Sequence, residues 1–144
     1  MIFVDASALI ALLGGEPAAG EVETILRGGE AAMTTVNLAE AVDRLHRRYG
    51  LPSSRTRPVI EALTDEALAL VPLVPATAWR AAEIRAAHYH RTRCPLSLAD
   101  AVLVASAGGD DRIASSDRSV LQVATSEGIK VTALPDSRGR RPRV

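Results

Sequence analysis

The stretch IFVDASALIALLGG, residues 2–15, decides how the rest of the chain is read. Ile2–Val4 is a short apolar run of β character that ends on a carboxylate, Asp5. From Ser7 to Leu13 the pattern turns helical, and Gly14-Gly15 stops it. A buried strand passing through an acid into a helix is half of a βαβ unit. Repetition of that unit sets the fold class.

The unit does repeat. A helix begins near Pro17, carries Val22, Ile25 and Leu26 on one stripe, and stops at Gly28-Gly29. Ala32–Thr35 reads as a strand. A helix from Asn37 to Tyr49 follows, with Leu38, Val42, Leu45 and Tyr49 on one face and Gly50 closing it. Pro52-Ser53-Ser54 reads as a loop, and a helix runs through Val59, Ile60 and Leu63 to about Ala67. Leu68–Val74 is β-like, and Pro72 makes it an edge strand or shortens it. A long helix is expected from Ala76 to Arg91, a break at Cys94-Pro95-Leu96, and an apolar helix from Ser97 to Ala107. Arg112–Ala114 and Ile129–Ala133 are strands flanking a helix over Asp117–Glu127. Alternating strands and helices predict an α/β fold with a central parallel sheet flanked by helices. Residues 1–136 form one domain, and the basic tail SRGRRPRV, residues 137–144, is expected to be disordered.

Composition narrows the function classes. A chain of 144 residues can bury about 70% of its unfolded surface, so it needs no disulfide or structural metal. Phe3, Tyr49, Trp79 and Tyr89 are its only aromatics, too few for a sheet that stacks bases on rings. Seventeen basic and seventeen acidic residues cancel, against a protein that coats nucleic acid through one broad positive field. Cys94 is the single cysteine, which rules out an intrachain disulfide and a thiolate zinc site. Asp5 interrupts the first apolar run and Ala8–Leu13 is too short to cross a bilayer, so neither a secretory leader nor a membrane span is read, and a cytoplasmic location is expected.

Four acids carry the chemistry. Asp5 and Asp117 follow strands, while Glu40 and Asp100 lie at helix starts. In a parallel α/β sheet the carboxyl ends of strands line the ligand crevice. Carboxylates gathered there repel one another unless a hard cation sits between them, which points to Mg²⁺ or Mn²⁺ and phosphate-ester chemistry. Each acid also has a bland explanation. Asn37–Glu40 and Ser97–Asp100 match a capping box, Asp117 suits a helix dipole, and Asp5 suits a turn. Capping and metal binding are compatible, because helix N-termini favour the ionised carboxylate. Ser7, Asn37, Ser115 and Ser116 are small polar neighbours placed to orient carboxylates or water. Arg118, beside Asp117, is the candidate for holding a substrate phosphate. Arg44, Arg47 and Arg48 read as a solvated face with i,i+4 partners Glu40 and Asp43, and His46, His88 and His90 share no ligand spacing. A phosphotransferase of the haloacid dehalogenase type would need an acid where Ser7 stands.

VDAS, then NLAE, PLSLADA and IASSD, in that order and spacing, resemble PIN-domain ribonucleases, closest to the bacterial VapC-type toxins, over residues 1–136. The resemblance implies a PIN-like three-layer fold and a metal-dependent endoribonuclease. It places catalytic and metal-binding roles on Asp5, Glu40, Asp100 and Asp117. It implies an RNA substrate, a small antitoxin partner and a homodimer. Ser115 stands where the family often has Thr. The alternative reading is a non-catalytic PIN-like module that binds RNA or protein.

Overall fold

The computed structural model describes residues 1–143; Val144, the last residue of the expected tail, lies outside them. Among the described residues, five strands are joined by one or two helices each: β1 (Ile2–Val4), α1 (Ala6–Gly14), α2 (Ala19–Arg27), β2 (Ala31–Thr34), α3 (Thr35–Tyr49), α4 (Ser53–Glu66), β3 (Leu68–Val71), α5 (Pro75–His88), α6 (Leu98–Ser106), β4 (Arg112–Ser115), α7 (Arg118–Ser126) and β5 (Lys130–Ala133). The strands form one sheet in the order β3-β2-β1-β4-β5, and every pairing is parallel. The chain winds from β1 outwards to β3, then crosses back to β4 and β5. β1 is therefore the centre where the winding direction reverses, the point at which open α/β sheets place their ligands.

Strand periodicity fills both faces of the sheet. Val4, Ala31, Met33 and Ala114 join the core with α1, α2, α3 and α4, through Leu9, Ile10, Val22, Leu45 and Ile60. Their alternates Phe3, Ala32 and Ile113 join the core with α5, α6 and α7, through Ile84, Leu103, Val104, Val120 and Val123. A sheet buried on both faces cannot show a polar alternate, which is why these strands read as short continuous apolar runs. The result is the three-layer arrangement expected.

Several boundaries differ from expectation, each for a local reason. α3 begins at Thr35 rather than Asn37, because the Thr34 hydroxyl accepts the Asn37 N–H at 3.0 Å and caps the helix. That bond also replaces the capping box expected over Asn37–Glu40. Residues 53 and 54, expected in a loop, are the first turn of α4, with Pro52 at its N-cap. α5 stops at His88 instead of Arg91, since His90 and Cys94 pair their backbones at 2.9 and 3.0 Å. β3 ends before Pro72 and sits at the sheet edge, where a missing N–H costs least.

Residues 136–141, at the start of the tail, make contacts with one another and with the domain. Asp136 accepts the backbone N–H groups of Arg138 and Arg140 and the Arg140 guanidinium. Arg141 reaches the Ala133 carbonyl at 2.6 Å and the Glu21 carboxylate at 2.5 Å, tying the tail to α2. Among the described residues, no helix is long and apolar enough to cross a membrane.

Candidate metal centre

The four acids come from four separate places in the chain and line one pocket. Asp5, Glu40, Asp100 and Asp117, with Ala6, Ser7, Arg44 and Ser116, enclose a polar space of about 160 Å³ at the carboxyl edge of the sheet. That volume holds roughly five waters at about 30 Å³ each, the scale of a hydrated cation and a phosphate oxygen. A larger groove of about 390 Å³, lined by Leu38, Val42, Thr56, Ile60 and Leu70, is mainly apolar and lies on the α3–α4 side, away from the acids.

Local structure fixes three of the four carboxylates. Asp5 is the N-cap of α1 and is 3% exposed. Its Oδ1 accepts the Ala8 N–H at 3.1 Å and the Ser7 hydroxyl at 2.5 Å, and its Oδ2 accepts the Ser115 hydroxyl. Asp100 forms the expected capping box with Ser97, its Oδ2 accepting the Ser97 N–H at 3.0 Å. Asp117 caps α7, its Oδ1 accepting from the N–H groups of Ser119 and Val120 at 2.7 and 3.4 Å. Glu40, on the second turn of α3, makes only a 3.8 Å ion pair with Arg44. Three of the acids thus cap helix N-termini, and all four share one pocket.

Electrostatics record the crowding. Burial pushes the Asp5 carboxyl above its ordinary value, against the pull of the Ser115, Ser7 and Ala8 donors, and Asp100 pushes it further. Glu40 is raised by burial and then by Asp100, with Arg44 opposing. Asp100 is raised by burial, against the Ser97 bonds and Arg44, with Asp117 adding repulsion. Each of these shifts favours the neutral acid, and a cation would reverse them.

The donor set fits a hard divalent cation. It is all carboxylate and hydroxyl oxygen, without nitrogen or sulfur. Among the described residues, no hydrogen bond occupies Asp100 Oδ1, Asp117 Oδ2 or either Glu40 oxygen, and Asp5 Oδ2 receives a single donor. Lone pairs thus remain for a metal. Among the described residues, no three of these side chains stand close enough together to hold an ion between them.

The smaller residues divide. Ser7 and Ser115 touch Asp5, and Ser116 donates its hydroxyl to that of Ser7 at 3.0 Å. The Ser115 oxygen also accepts the Asp117 N–H at 2.9 Å, linking two acids. Among the described residues Asn37 makes no hydrogen bond to any of the four: its Oδ1 accepts from Thr34 and its buried Nδ2 has no partner. Arg118 does not line the acidic pocket but the neighbouring cleft. Arg44 does line it. Its i,i+4 spacing from Glu40 was the available signal, and it read as a surface pair.

The family model for the PIN domain matches residues 2–133. The chain belongs to the PIN-domain family. No curated protein matches it, but solved structures share the fold. DNA-bound VapBC from Salmonella typhimurium has a TM-score of 0.66 at 16% identity, over 91% of this chain and 96% of that one. VapBC-1 from nontypeable Haemophilus influenzae has a TM-score of 0.64 at 16% identity, over 92% and 97%. VapC20 of Mycobacterium tuberculosis, a sarcin–ricin loop cleaving toxin, has a TM-score of 0.56 at 21% identity, over 74% and 80%. These likenesses concern the PIN fold, which the site geometry fills with acids.

Proposed function

We propose that this PIN-domain protein is a metal-dependent endoribonuclease and the toxin of a toxin–antitoxin pair. The observation that carries the reading is the convergence of four carboxylates, from four elements, on one polar pocket at the sheet's carboxyl edge. The family supports nuclease chemistry. Its structural neighbours, among them a toxin–antitoxin complex, VapBC complexes and a sarcin–ricin loop cleaving toxin, support the role and an antitoxin partner. A homodimer and action on RNA in the cytoplasm belong to the same reading.

Asp5, Glu40, Asp100 and Asp117 would hold Mg²⁺ or Mn²⁺. Bound there, the cation supplies an activated water and neutralises charge on the phosphate oxygens. Ser7 and Ser115 hold the Asp5 carboxylate in one orientation. Ser97 does the same for Asp100, and the α7 N-terminus for Asp117. Arg44 lowers the cost of ionising Glu40 and Asp100. Asp117, with one oxygen outside the cap bonds, would bind the cation directly or through water, or accept a proton.

Cleavage of RNA should require Mg²⁺ or Mn²⁺ and stop with EDTA. A single 2′-deoxy nucleotide at the cut should leave some cleavage, because the nucleophile is water and not the neighbouring ribose hydroxyl. Loss of all cleavage by that substitution, with binding intact, would assign an internal-attack mechanism instead. Metal-independent RNA binding with no cleavage would assign the non-catalytic reading.

A further inference from the structure

A second polar cleft lies beside the acidic pocket and shares Ser116 with it. It measures about 630 Å³ and is lined by Ser116, Arg118, Asp136, Arg140, Arg141, Pro142 and Arg143. Four arginines face one acid there, in a chain whose net charge is zero. Their partners separate them into two kinds. Arg140 is held by Asp136 at 3.0 Å and Arg141 by Glu21 at 2.5 Å, so these two pin the tail to the domain. Arg118 and Arg143 have no carboxylate partner among the described residues and supply the cleft's surplus charge.

We propose that Arg118 and Arg143 hold the phosphate backbone of a single-stranded RNA that continues from the acidic pocket into this cleft. The inference rests on the nuclease reading, which supplies the substrate. Three arguments carry it. In the metal-free protein four carboxylates repel a polyanion, and among the described residues Arg44 is the one cationic side chain lining their pocket, so the attraction there comes from next door. Asp5 is 3% exposed, so a phosphodiester has to leave the rigid surface of a duplex to reach it, and a flexible strand does this most easily. Among the described residues no aromatic side chain lines either space, so the contacts are with phosphates and not stacked bases.

The test is the salt dependence of binding a short fluorescent single-stranded RNA in EDTA, where no cleavage occurs. For Arg118→Gln/Arg143→Gln the slope of log affinity against log salt should shrink by about 1.4, two phosphate contacts at about 0.7 each. Each single variant should show about half that shift, which keeps the test open should the double variant fold poorly. Arg138→Gln, outside the cleft, should keep the wild-type slope. With Mn²⁺, the double variant should raise KM several-fold and leave kcat unchanged. An unchanged slope in a folded double variant overturns the inference, as does a variant that keeps RNA affinity and loses only an acidic protein partner. Wild-type protein that binds with the steeper slope yet never cleaves would refute the nuclease reading and leave the cleft assignment standing.

Discussion

Ser115 divides one hydroxyl between two acids, donating to Asp5 and accepting from the Asp117 backbone. Ser115→Ala should therefore disturb both carboxylates and lower cleavage, while Ser115→Thr keeps the hydroxyl and should retain most of it. Measured kcat for the pair decides this; equal loss in both would exclude hydroxyl positioning. Arg44 offers a pH test. It opposes the upward shifts of Glu40 and Asp100, so Arg44→Gln should raise both carboxyls further and move the acid limb of the pH–rate profile to higher pH. An acid limb that stays in place would show that Arg44 does not act on them. At this scale the four acids were legible from sequence because each interrupts an apolar segment or follows a cap residue. Arg44 was not, since its pairing with Glu40 has the same spacing as an ordinary surface pair. Asn37 lies one turn from Glu40, and the structure places its Oδ1 on the Thr34 hydroxyl.

Helix ends build the centre as much as the sheet does. Asp5, Asp100 and Asp117 all sit in N-terminal caps, where free N–H groups orient carboxylates. Ser97→Ala removes half of one capping box and should cost about 1 kcal/mol in chemical denaturation. It should also weaken Mn²⁺ binding, because the Asp100 backbone N–H loses the Ser97 hydroxyl that fixes the turn carrying its carboxylate. Normal metal affinity with reduced stability would confine Ser97 to a structural role. The elements themselves were legible from apolar periodicity and from the glycines that stop α1 and α3; Gly15 and Gly50 take left-handed φ values of 64° and 63°. The ends were less so. Which hydroxyl caps a helix depends on backbone geometry, so Thr34 displaced the Asn37–Glu40 box. The end of α5 depends on the His90–Cys94 bridge, a pairing without a sequence period.

The sheet brings together acids separated by as many as 112 residues, and the whole molecule carries the cost of doing so. The carboxyls of Asp5, Glu40 and Asp100 are all raised in the fold. Between the ordinary carboxylate range, about 4, and those raised values, the native state holds protons that the unfolded chain has released. In EDTA, stability should therefore be highest at the acid end of that window and fall as pH rises through it. Asp111 and Asp136 are lowered and act in the opposite sense, but both are near the surface and contribute little. Urea titrations across pH would check this, and Asp5→Asn should flatten the slope. The three-layer architecture was legible from alternating elements, whereas the course of the tail was not, because the Arg141–Glu21 contact spans 120 residues without any periodic signal. The central claim is that the acidic pocket is a metal-dependent catalytic centre, and Asp5→Asn tests it most directly. An amide keeps an acceptor for the Ala8 N–H, and the Ser115 hydroxyl can turn to accept from it, so the fold should tolerate the change. Thermal melts in EDTA and in Mn²⁺, run beside RNA cleavage, should show wild type gaining about 2.7 kcal/mol at a hundredfold excess over the metal Kd. The variant should melt at or above wild type in EDTA, gain little from Mn²⁺ and fail to cleave. A destabilised Asp5→Asn protein that retains full cleavage would contradict the account.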